Sequence, residues 1–283
     1  MFAEMDSAFE RTELLIGEER LERLHSAHVL VVGLGGVGAY AAEMLCRAGV
    51  GKLTLLDADR VSRSNRNRQL IALCSTEGRL KTEVLAERLR DINKNVSLVP
   101  ISEYLKEEKV GEILEAAHYD YVVDAIDTLR PKLFLTAGCV KRGIPLVSSM
   151  GSGGKMNPSL IQVADISQSF NCPLARMLRK KLHKFGIYDG FAVVFSPEDI
   201  PEGSVREERS ENKRTNVGTI SYMPAIFGCF AASVVIRELT GVSAYKKVKD
   251  KRYYHNKKTS VCDFEEQIKQ TENIKSREDG RNV

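Results

Sequence analysis

Apolar residues in the first half of the chain form short continuous runs that alternate with stretches of helical periodicity. The runs have the length of buried strands. Between them, apolar positions recur at spacings of three and four residues, which predicts amphipathic helices. The predicted strands cover residues 28–33, 52–57, 96–101, 119–126 and 144–149. The predicted helices are one that ends at Arg47 and those over residues 81–92, 110–117 and 129–141.

Strands that are apolar throughout and separated by helices are typical of a parallel sheet. We therefore predict an α/β, Rossmann-like fold: a mostly parallel sheet covered by helices on both faces, with a small C-terminal helical and loop extension. After residue 150 the pattern predicts a strand at 160–164, a basic helix at 174–184, a mobile charged loop at 197–216 and an apolar helix at 221–239. Residues 1–240 are expected to form one domain with an N-terminal helical arm, and residues 241–283 a partly disordered charged tail.

Composition favours a cytoplasmic protein without stable membrane association. The chain has 283 residues, 43% of them hydrophobic, and its N-terminal region lacks the cationic and apolar pattern of a signal peptide. The longest apolar stretch, residues 223–236, contains Pro224 and Gly228 and is shorter than the roughly 20 residues of a bilayer span, so we expect a buried helix. The six cysteines form no CxxC pair, which favours reduced thiols over a structural zinc site.

A glycine-rich turn follows the first predicted strand and opens the first helix of the α/β unit. Glycines at such a turn allow phosphate to approach the backbone, and the helix N-terminus supplies free N–H groups. Asp57 ends the second strand, where a carboxylate accepts hydrogen bonds from ribose hydroxyls. These features predict nucleotide binding but leave open whether the nucleotide is NAD or ATP. The glycines of the turn are Gly33, Gly35, Gly36 and Gly38.

Charged residues downstream of Asp57 favour ATP. Arg66, Arg68 and Lys81 are cations suited to a triphosphate, whereas backbone amides neutralise most of a dinucleotide pyrophosphate. Asp127 follows a predicted strand and can hold Mg²⁺ through oxygen ligands and water.

The order of these residues resembles the adenylation domain of the ubiquitin-activating enzyme superfamily, which includes the ThiF, MoeB and HesA proteins. The shared pattern is G-x-G-G-x-G, then D-x-D-x(5)-N-x(2)-R-Q, a lysine 12 residues after that glutamine, and D-x-x-D. It covers residues from about 10 to 240, so the resemblance implies that residues 1–240 are a ThiF-type adenylation domain.

The resemblance also implies roles for individual residues. Asp57 and Asp59 would lie near the ribose and the metal, and Asp127 would carry the essential Mg²⁺. Members of the superfamily work as dimers in which an N-terminal arginine reaches the partner's site, and Arg11 has that position in a homodimer. The phosphate contacts would come from Asn65, Arg68, Gln69 and Lys81.

Within the superfamily the chain is similar to the single-domain tRNA threonylcarbamoyladenosine dehydratases. The zinc-binding CxxC pairs of other members are missing, and residues 9–24, 124–132, 144–166 and 173–182 support the likeness. This resemblance implies ATP-dependent cyclisation of threonylcarbamoyladenosine next to the anticodon of tRNA, through an acyl-adenylate, with release of AMP and pyrophosphate. The sequence leaves open whether a monovalent cation binds near residues 149–155 and whether a sulfur-relay protein is a partner.

A tRNA substrate requires phosphate contacts. The candidate surface is the basic helix at residues 174–184, which would make tRNA binding sensitive to salt. Lysines of the tail, beginning with Lys246, are a second candidate, although a solubilising tail explains them equally well. The basic residues of the helix are Arg176, Arg179, Lys180, Lys181 and Lys184.

Three other functions stay open from sequence. One is adenylation of the C-terminus of a sulfur-carrier or ubiquitin-like protein. ATP–pyrophosphate exchange would then be stimulated by that carrier protein and not by tRNA. Another is an NAD(P)-dependent oxidoreductase, which leaves Arg68 and Lys81 unexplained. The last is a non-catalytic RNA-binding module, for which Asp127→Ala would leave function intact.

Overall fold

The computed structural model describes residues 7–207 and 215–246. A sheet of seven strands forms its centre. Its strands are β1 (His28–Val32), β2 (Lys52–Leu56), β3 (Ser97–Ile101), β4 (Tyr121–Asp124), β5 (Leu146–Ser149), β6 (Gln162–Asp165) and β7 (Ala192–Phe195). Their order across the sheet is β3-β2-β1-β4-β5-β7-β6, and only β6 runs antiparallel to its neighbour. The predicted fold class is confirmed, and each of the six predicted strands is present.

Eight helices surround this sheet in the described part of the chain. They are α1 (Glu10–Ile16), α2 (Glu18–Ser26), α3 (Gly38–Arg47), α4 (Lys81–Ile92), α5 (Val110–Glu115), α6 (Leu129–Arg142), α7 (Pro173–Leu182) and α8 (Tyr222–Leu239). Helix α3 packs against α4 and α8, while α6 packs against α5 and α7. The strands between these two groups are almost wholly buried because helices cover both of their faces.

The strand order reverses at β1, which pairs in parallel with β2 on one side and with β4 on the other. All five residues of β1 are buried. In an open parallel sheet, a crevice forms beyond the carboxyl ends of the strands at such a reversal, and ligands bind there. The glycine turn after β1 and Asp57 after β2 both lie at this edge.

The charged segment at residues 197–216 differs from its prediction. Its described residues include two short antiparallel strands, β8 (Val205–Glu207) and β9 (Thr215–Val217), so the expectation of a loop throughout was wrong. Three-residue strands are too short to produce a readable alternation of apolar and polar positions. Strand β7 was also not predicted. Residues 208–214 and 247–283, which include most of the predicted tail, lie outside the described residues.

Helix α8 is the predicted apolar helix, and it packs tightly on the turn into α3. A Cβ atom at Gly228 would lie 2.4 Å from the carbonyl oxygen of Val37, so only glycine permits this approach. Phe227 and Ala231 on the same helix are fully buried. Helix α8 is long and apolar enough to pass a composition test for a membrane span, but its packing makes it a core helix, as expected.

The glycine turn itself closes on backbone atoms. Gly33 has a positive φ of 86°, a conformation that favours glycine. A Cβ atom at Gly38 would lie 1.8 Å from the carbonyl oxygen of Gly33. Gly38 therefore sets the distance between β1 and the start of α3.

We expect Gly38→Ala to lower the free energy of unfolding by about 3 kcal/mol, because overpacking against a backbone atom is not relieved by rotating a side chain. Urea denaturation followed by circular dichroism measures this change. Gly151→Ala is the matched control, since a Cβ there would meet no heavy atom within 4 Å. Equal stability of the two variants would contradict the account of the turn.

Candidate nucleotide-binding and adenylation site

A cavity of about 820 Å³ opens at the carboxyl ends of β1, β2, β4 and β5. Most of the residues predicted for the site line this cavity. Gly38 does not line it, and its role is to close the turn; Arg11 does not line it either. The predicted residues that do line it are Gly33, Gly35, Gly36, Asp57, Asp59, Asn65, Arg68, Gln69, Lys81 and Asp127.

Asp57 joins the glycine turn to the end of β2. Its carboxylate accepts hydrogen bonds from the backbone N–H of Leu34 at 2.6 Å and of Asp59 at 2.7 Å. Burial raises the pKa of Asp57, although Lys81 and these two N–H donors act in the opposite direction. Each oxygen keeps a further lone pair, so the carboxylate can also accept a hydrogen bond from a ribose hydroxyl.

Two cations face the cavity from the segment after β2. Lys81 begins α4 and is only 4% exposed, and its Nζ donates to Asp59 Oδ2 at 2.7 Å. The Nη1 of Arg68 donates to the carbonyl oxygen of Ser64 at 3.0 Å and to Asn67 Oδ1 at 2.8 Å. A buried ammonium and an oriented guanidinium are groups that bind phosphate oxygens strongly.

Two amide side chains line the cavity and differ in their hydrogen bonding. Asn65 Oδ1 accepts a hydrogen bond from Ser62 N at 3.1 Å, so this side chain stabilises the turn at Arg63–Asn65 while it lines the cavity. Gln69 is 9% exposed, and its Oε1 has no hydrogen-bond partner within the described structure. A buried amide without a partner is costly. Gln69 Oε1 can only accept and so fits a ligand N–H or O–H, whereas Nε2, the atom on the Gly35 side, can donate to phosphate oxygens.

Asp127 and Arg66 differ in their relation to the cavity. Asp127 is an exposed residue of the loop that follows β4, and it lines the cavity as predicted. Arg66, which we expected beside the triphosphate, does not line it: its guanidinium donates to Cys74 Sγ at 2.7 Å and pairs with Glu77 at 3.9 Å. The expectation for Arg66 was wrong because an acidic partner and a thiol nearby hold the side chain in another direction.

A metal at this site would need oxygen ligands beyond those that the described residues supply. No group of three or more His, Cys, Asp or Glu residues suited to a metal occurs within residues 7–207 and 215–246. Mg²⁺ commonly keeps several waters and binds through one or two carboxylates together with substrate phosphates. Asp127 on the cavity wall therefore fits a magnesium ion that arrives with a triphosphate.

Lys155 is a cavity residue whose role the sequence did not reveal. It lies in the glycine-rich turn after β5, is 2% exposed, and donates to the carbonyl oxygen of Glu198. The Glu198 carboxylate in turn accepts from the backbone N–H of Met156 and of Asn157. These hydrogen bonds hold the turn after β5 against the loop that contains Glu198. The sequence signal that could have identified Lys155 is the glycine-rich segment that precedes it and follows a strand.

Residues that were not predicted for the site also line the cavity. Tyr104 and Leu105, after β3, and Ile126, after β4, supply apolar surface to the cavity. Val205 and Val217, which pair across the β8–β9 hairpin, line the opening as well. The cavity thus combines a cationic phosphate side with an apolar side suited to a flat base.

The fold and this cavity define a class: Rossmann-like proteins that bind a nucleoside triphosphate at the reversal of strand order. The sequence pattern of the ThiF family matches residues 9–276. The chain belongs to the ThiF family.

Two relatives and one solved structure are similar over most of the chain. The tRNA threonylcarbamoyladenosine dehydratase of Bacillus subtilis (strain 168) is 39% identical, over 86% of this chain and 98% of the relative. The enzyme of that name from Escherichia coli (strain K12) is 37% identical, over 83% of this chain and 94% of the relative. A crystal structure of the E. coli dehydratase TcdA in complex with ATP has a TM-score of 0.76 and 36% identity, and it covers 83% of this chain and 94% of that one.

Gly35→Ala is expected to weaken ATP binding about tenfold or more, equivalent to about 1.4 kcal/mol, without loss of stability. A Cβ at Gly35 would lie 3.6 Å from Gln69 Nε2, an ordinary contact, so the fold tolerates it while the methyl group enters the cavity. Titration calorimetry measures the affinity and urea denaturation the stability. Unchanged ATP affinity in a folded variant would show that phosphate does not approach this turn.

Proposed function

We propose that this chain catalyses the ATP-dependent dehydration of threonylcarbamoyladenosine in tRNA to its cyclic form. The observation that carries the proposal is the joint presence, in one cavity, of a glycine turn, the buried cation of Lys81 and the carboxylate of Asp127. That combination suits a triphosphate better than a dinucleotide. Two relatives that this chain matches over nearly their whole length are named for that reaction, which supports the choice of substrate.

The reaction has two steps. In the first, a carboxylate oxygen of the threonyl group attacks the α-phosphorus of ATP, and pyrophosphate leaves. In the second, a group of the same modified base attacks the activated acyl carbon, the ring closes, and AMP leaves with the former carboxylate oxygen. The net change in the nucleoside is the loss of one water. The second nucleophile belongs to the substrate, so the enzyme requires no cysteine nucleophile.

The protein's part is to position the reactants and to neutralise charge. The turn at Gly33–Gly36 and the N-terminus of α3 would bind phosphate oxygens, and Asp57 would accept hydrogen bonds from the ribose. Asp127 would hold Mg²⁺, which neutralises phosphate charge when bound, and Asp59 lines the same cavity. The side chains proposed to contact the phosphates are Asn65, Arg68, Gln69 and Lys81.

A homodimer is part of the proposal. Arg11 lies on exposed helix α1 and does not line the cavity of its own chain. On the same helix Leu14 and Leu15 are 82% and 84% exposed, and two adjacent leucines so exposed favour burial against another protein surface. In the proposed dimer a second copy covers this helix, and Arg11 contributes to that copy's cavity.

The tRNA surface proposed here is the basic face of α7. The helix begins at the cavity, since Cys172, Pro173 and Leu174 line it. The helix ends at Leu182, two residues before the predicted end, so the last of the exposed cations lies in the turn that follows it. None of these exposed cations has an ion pair among the described residues; they are Arg176, Lys180 and Lys181 of α7 and Lys184 beyond its end. Arg179 departs from the predicted patch because it donates to the carbonyl oxygen of Ser169 at 2.7 Å and is only partly exposed.

The reaction is tested by incubating the protein with Mg²⁺, ATP and tRNA that carries threonylcarbamoyladenosine. Mass spectrometry of the nucleosides is expected to show the loss of one water, with AMP and pyrophosphate formed in equal amounts. An unchanged nucleoside, with exchange stimulated by a carrier protein instead, would favour adenylation of that carrier.

In the same assay, Lys81→Ala and Asp127→Ala are each expected to lower turnover about 100-fold, because the first removes a cation that faces the phosphates and the second removes a carboxylate proposed to hold Mg²⁺. The matched controls are Asp91→Ala, in the last turn of α4, and Lys94→Ala, just beyond the helix. Both are expected to retain normal turnover. Near-normal rates in folded Lys81 and Asp127 variants would contradict the assigned roles.

The double variant Arg176→Ala with Lys180→Ala is expected to bind tRNA with a smaller salt dependence. The magnitude of the slope of log K against log salt concentration is expected to fall by about 2, with ATP affinity unchanged. Fluorescence anisotropy at several salt concentrations measures this slope. Arg90→Ala combined with Lys94→Ala removes two exposed charges from the end of α4 and the segment after it, outside the proposed tRNA surface, and serves as the control. Equal slopes for both double variants would place the tRNA elsewhere.

A further inference from the structure

Beneath the cavity lies a fully buried ionic network centred on Lys132 of α6. Its side chain has no exposure, and its Nζ donates to Asp124 Oδ2 at 2.8 Å, to Ser148 Oγ at 3.0 Å and to the carbonyl oxygen of Ser149 at 2.9 Å. Ser148 Oγ also donates to Asp124 Oδ2 at 2.7 Å. All three donors of the ammonium are therefore used within the protein.

The network joins the ends of two neighbouring strands. Asp124 is the last residue of β4, and in the parallel pairing it lies opposite Ser148 of β5. Asp124 Oδ1 also accepts a hydrogen bond from the backbone N–H of Ile126 at 3.1 Å, inside the loop that carries Asp127. Ser149 begins the glycine-rich turn that lines the other side of the cavity. One ammonium thus fixes two cavity loops relative to each other.

Stability alone is a weak reason for such a network. Removing two charges from water costs several kcal/mol per ion in effective terms, and replacing a buried pair by uncharged residues of similar volume is often neutral. Lys132 and Asp124 do not line the cavity, so they do not contact a nucleotide directly. What the network provides is a single arrangement of the two strand ends.

We propose that Lys132 is a positioning residue for the adenylation step. Acting through Asp124 and Ser149, it holds the Asp127 loop and the turn after β5 in the alignment that brings the triphosphate and the incoming carboxylate together. The proposal rests on the proposed function. ATP itself is held mainly from the other side, by the glycine turn, Arg68 and Lys81. Loss of the network therefore affects the transition state more than ATP binding.

The test separates positioning from stability by using two variants. Lys132→Met leaves the Asp124 charge buried without its partner, and it is expected to destabilise the fold strongly. In the double variant Lys132→Met with Asp124→Asn, both charges are gone and the volumes are nearly kept, so most of the lost stability is expected to return. Its kcat is expected to stay about tenfold or more below wild type, with the KM for ATP within about threefold.

ATP–pyrophosphate exchange and urea denaturation are measured on the same full-length preparations, with tRNA that carries threonylcarbamoyladenosine. Thr136→Val, one turn along α6 and equally buried, is the control and is expected to retain wild-type kcat. A double variant that recovers both stability and kcat overturns the positioning role, as does one in which only the KM for ATP changes. If the wild-type protein itself shows no tRNA-dependent exchange, the proposed function fails instead, and the two failures are therefore distinguishable.

Discussion

The close approach of Gly38 to the carbonyl oxygen of Gly33 is the constraint on which the rest of the site depends. It brings the N-terminus of α3 directly over the end of β1, where free N–H groups can meet phosphate. The same turn is fastened to β2 through Asp57 and Leu34, and it is covered by α8, which approaches at Gly228. A side chain at these glycines would separate the elements that form the cavity.

Around that turn, the described residues divide into those that face the cavity and those that hold them in place. Lys81 and Arg68 present positive charge on the side of the glycine turn, and Asp127 presents a carboxylate from the end of β4. Behind them, Asp59 orients Lys81, and the Lys132 network fixes the loops that follow β4 and β5. Such preorganisation favours in-line attack of a carboxylate on a phosphate without a protein nucleophile.

The sequence predicted the elements whose signal is local. Apolar runs identified six of the seven strands of the sheet, and the position of Asp57 and Asp127 after strands placed both at the cavity. What sequence did not predict depends on contacts between distant residues. Arg66 turns to Glu77 and Cys74, Arg179 turns inward to Ser169, and Lys132 meets Ser148 and Ser149 from another element. No spacing rule reports such pairings, because either direction of a long side chain fits the same local helix or turn.

The central claim is that the substrate carboxylate becomes bonded to the α-phosphorus of ATP. It is tested most directly by labelling both oxygens of the threonyl carboxylate in the tRNA with ¹⁸O and analysing the nucleotide products by mass spectrometry. Adenylation predicts AMP that carries one ¹⁸O atom, with unlabelled pyrophosphate and one ¹⁸O kept in the cyclic nucleoside. Formation of ADP with labelled phosphate, or of AMP without label, would contradict the account.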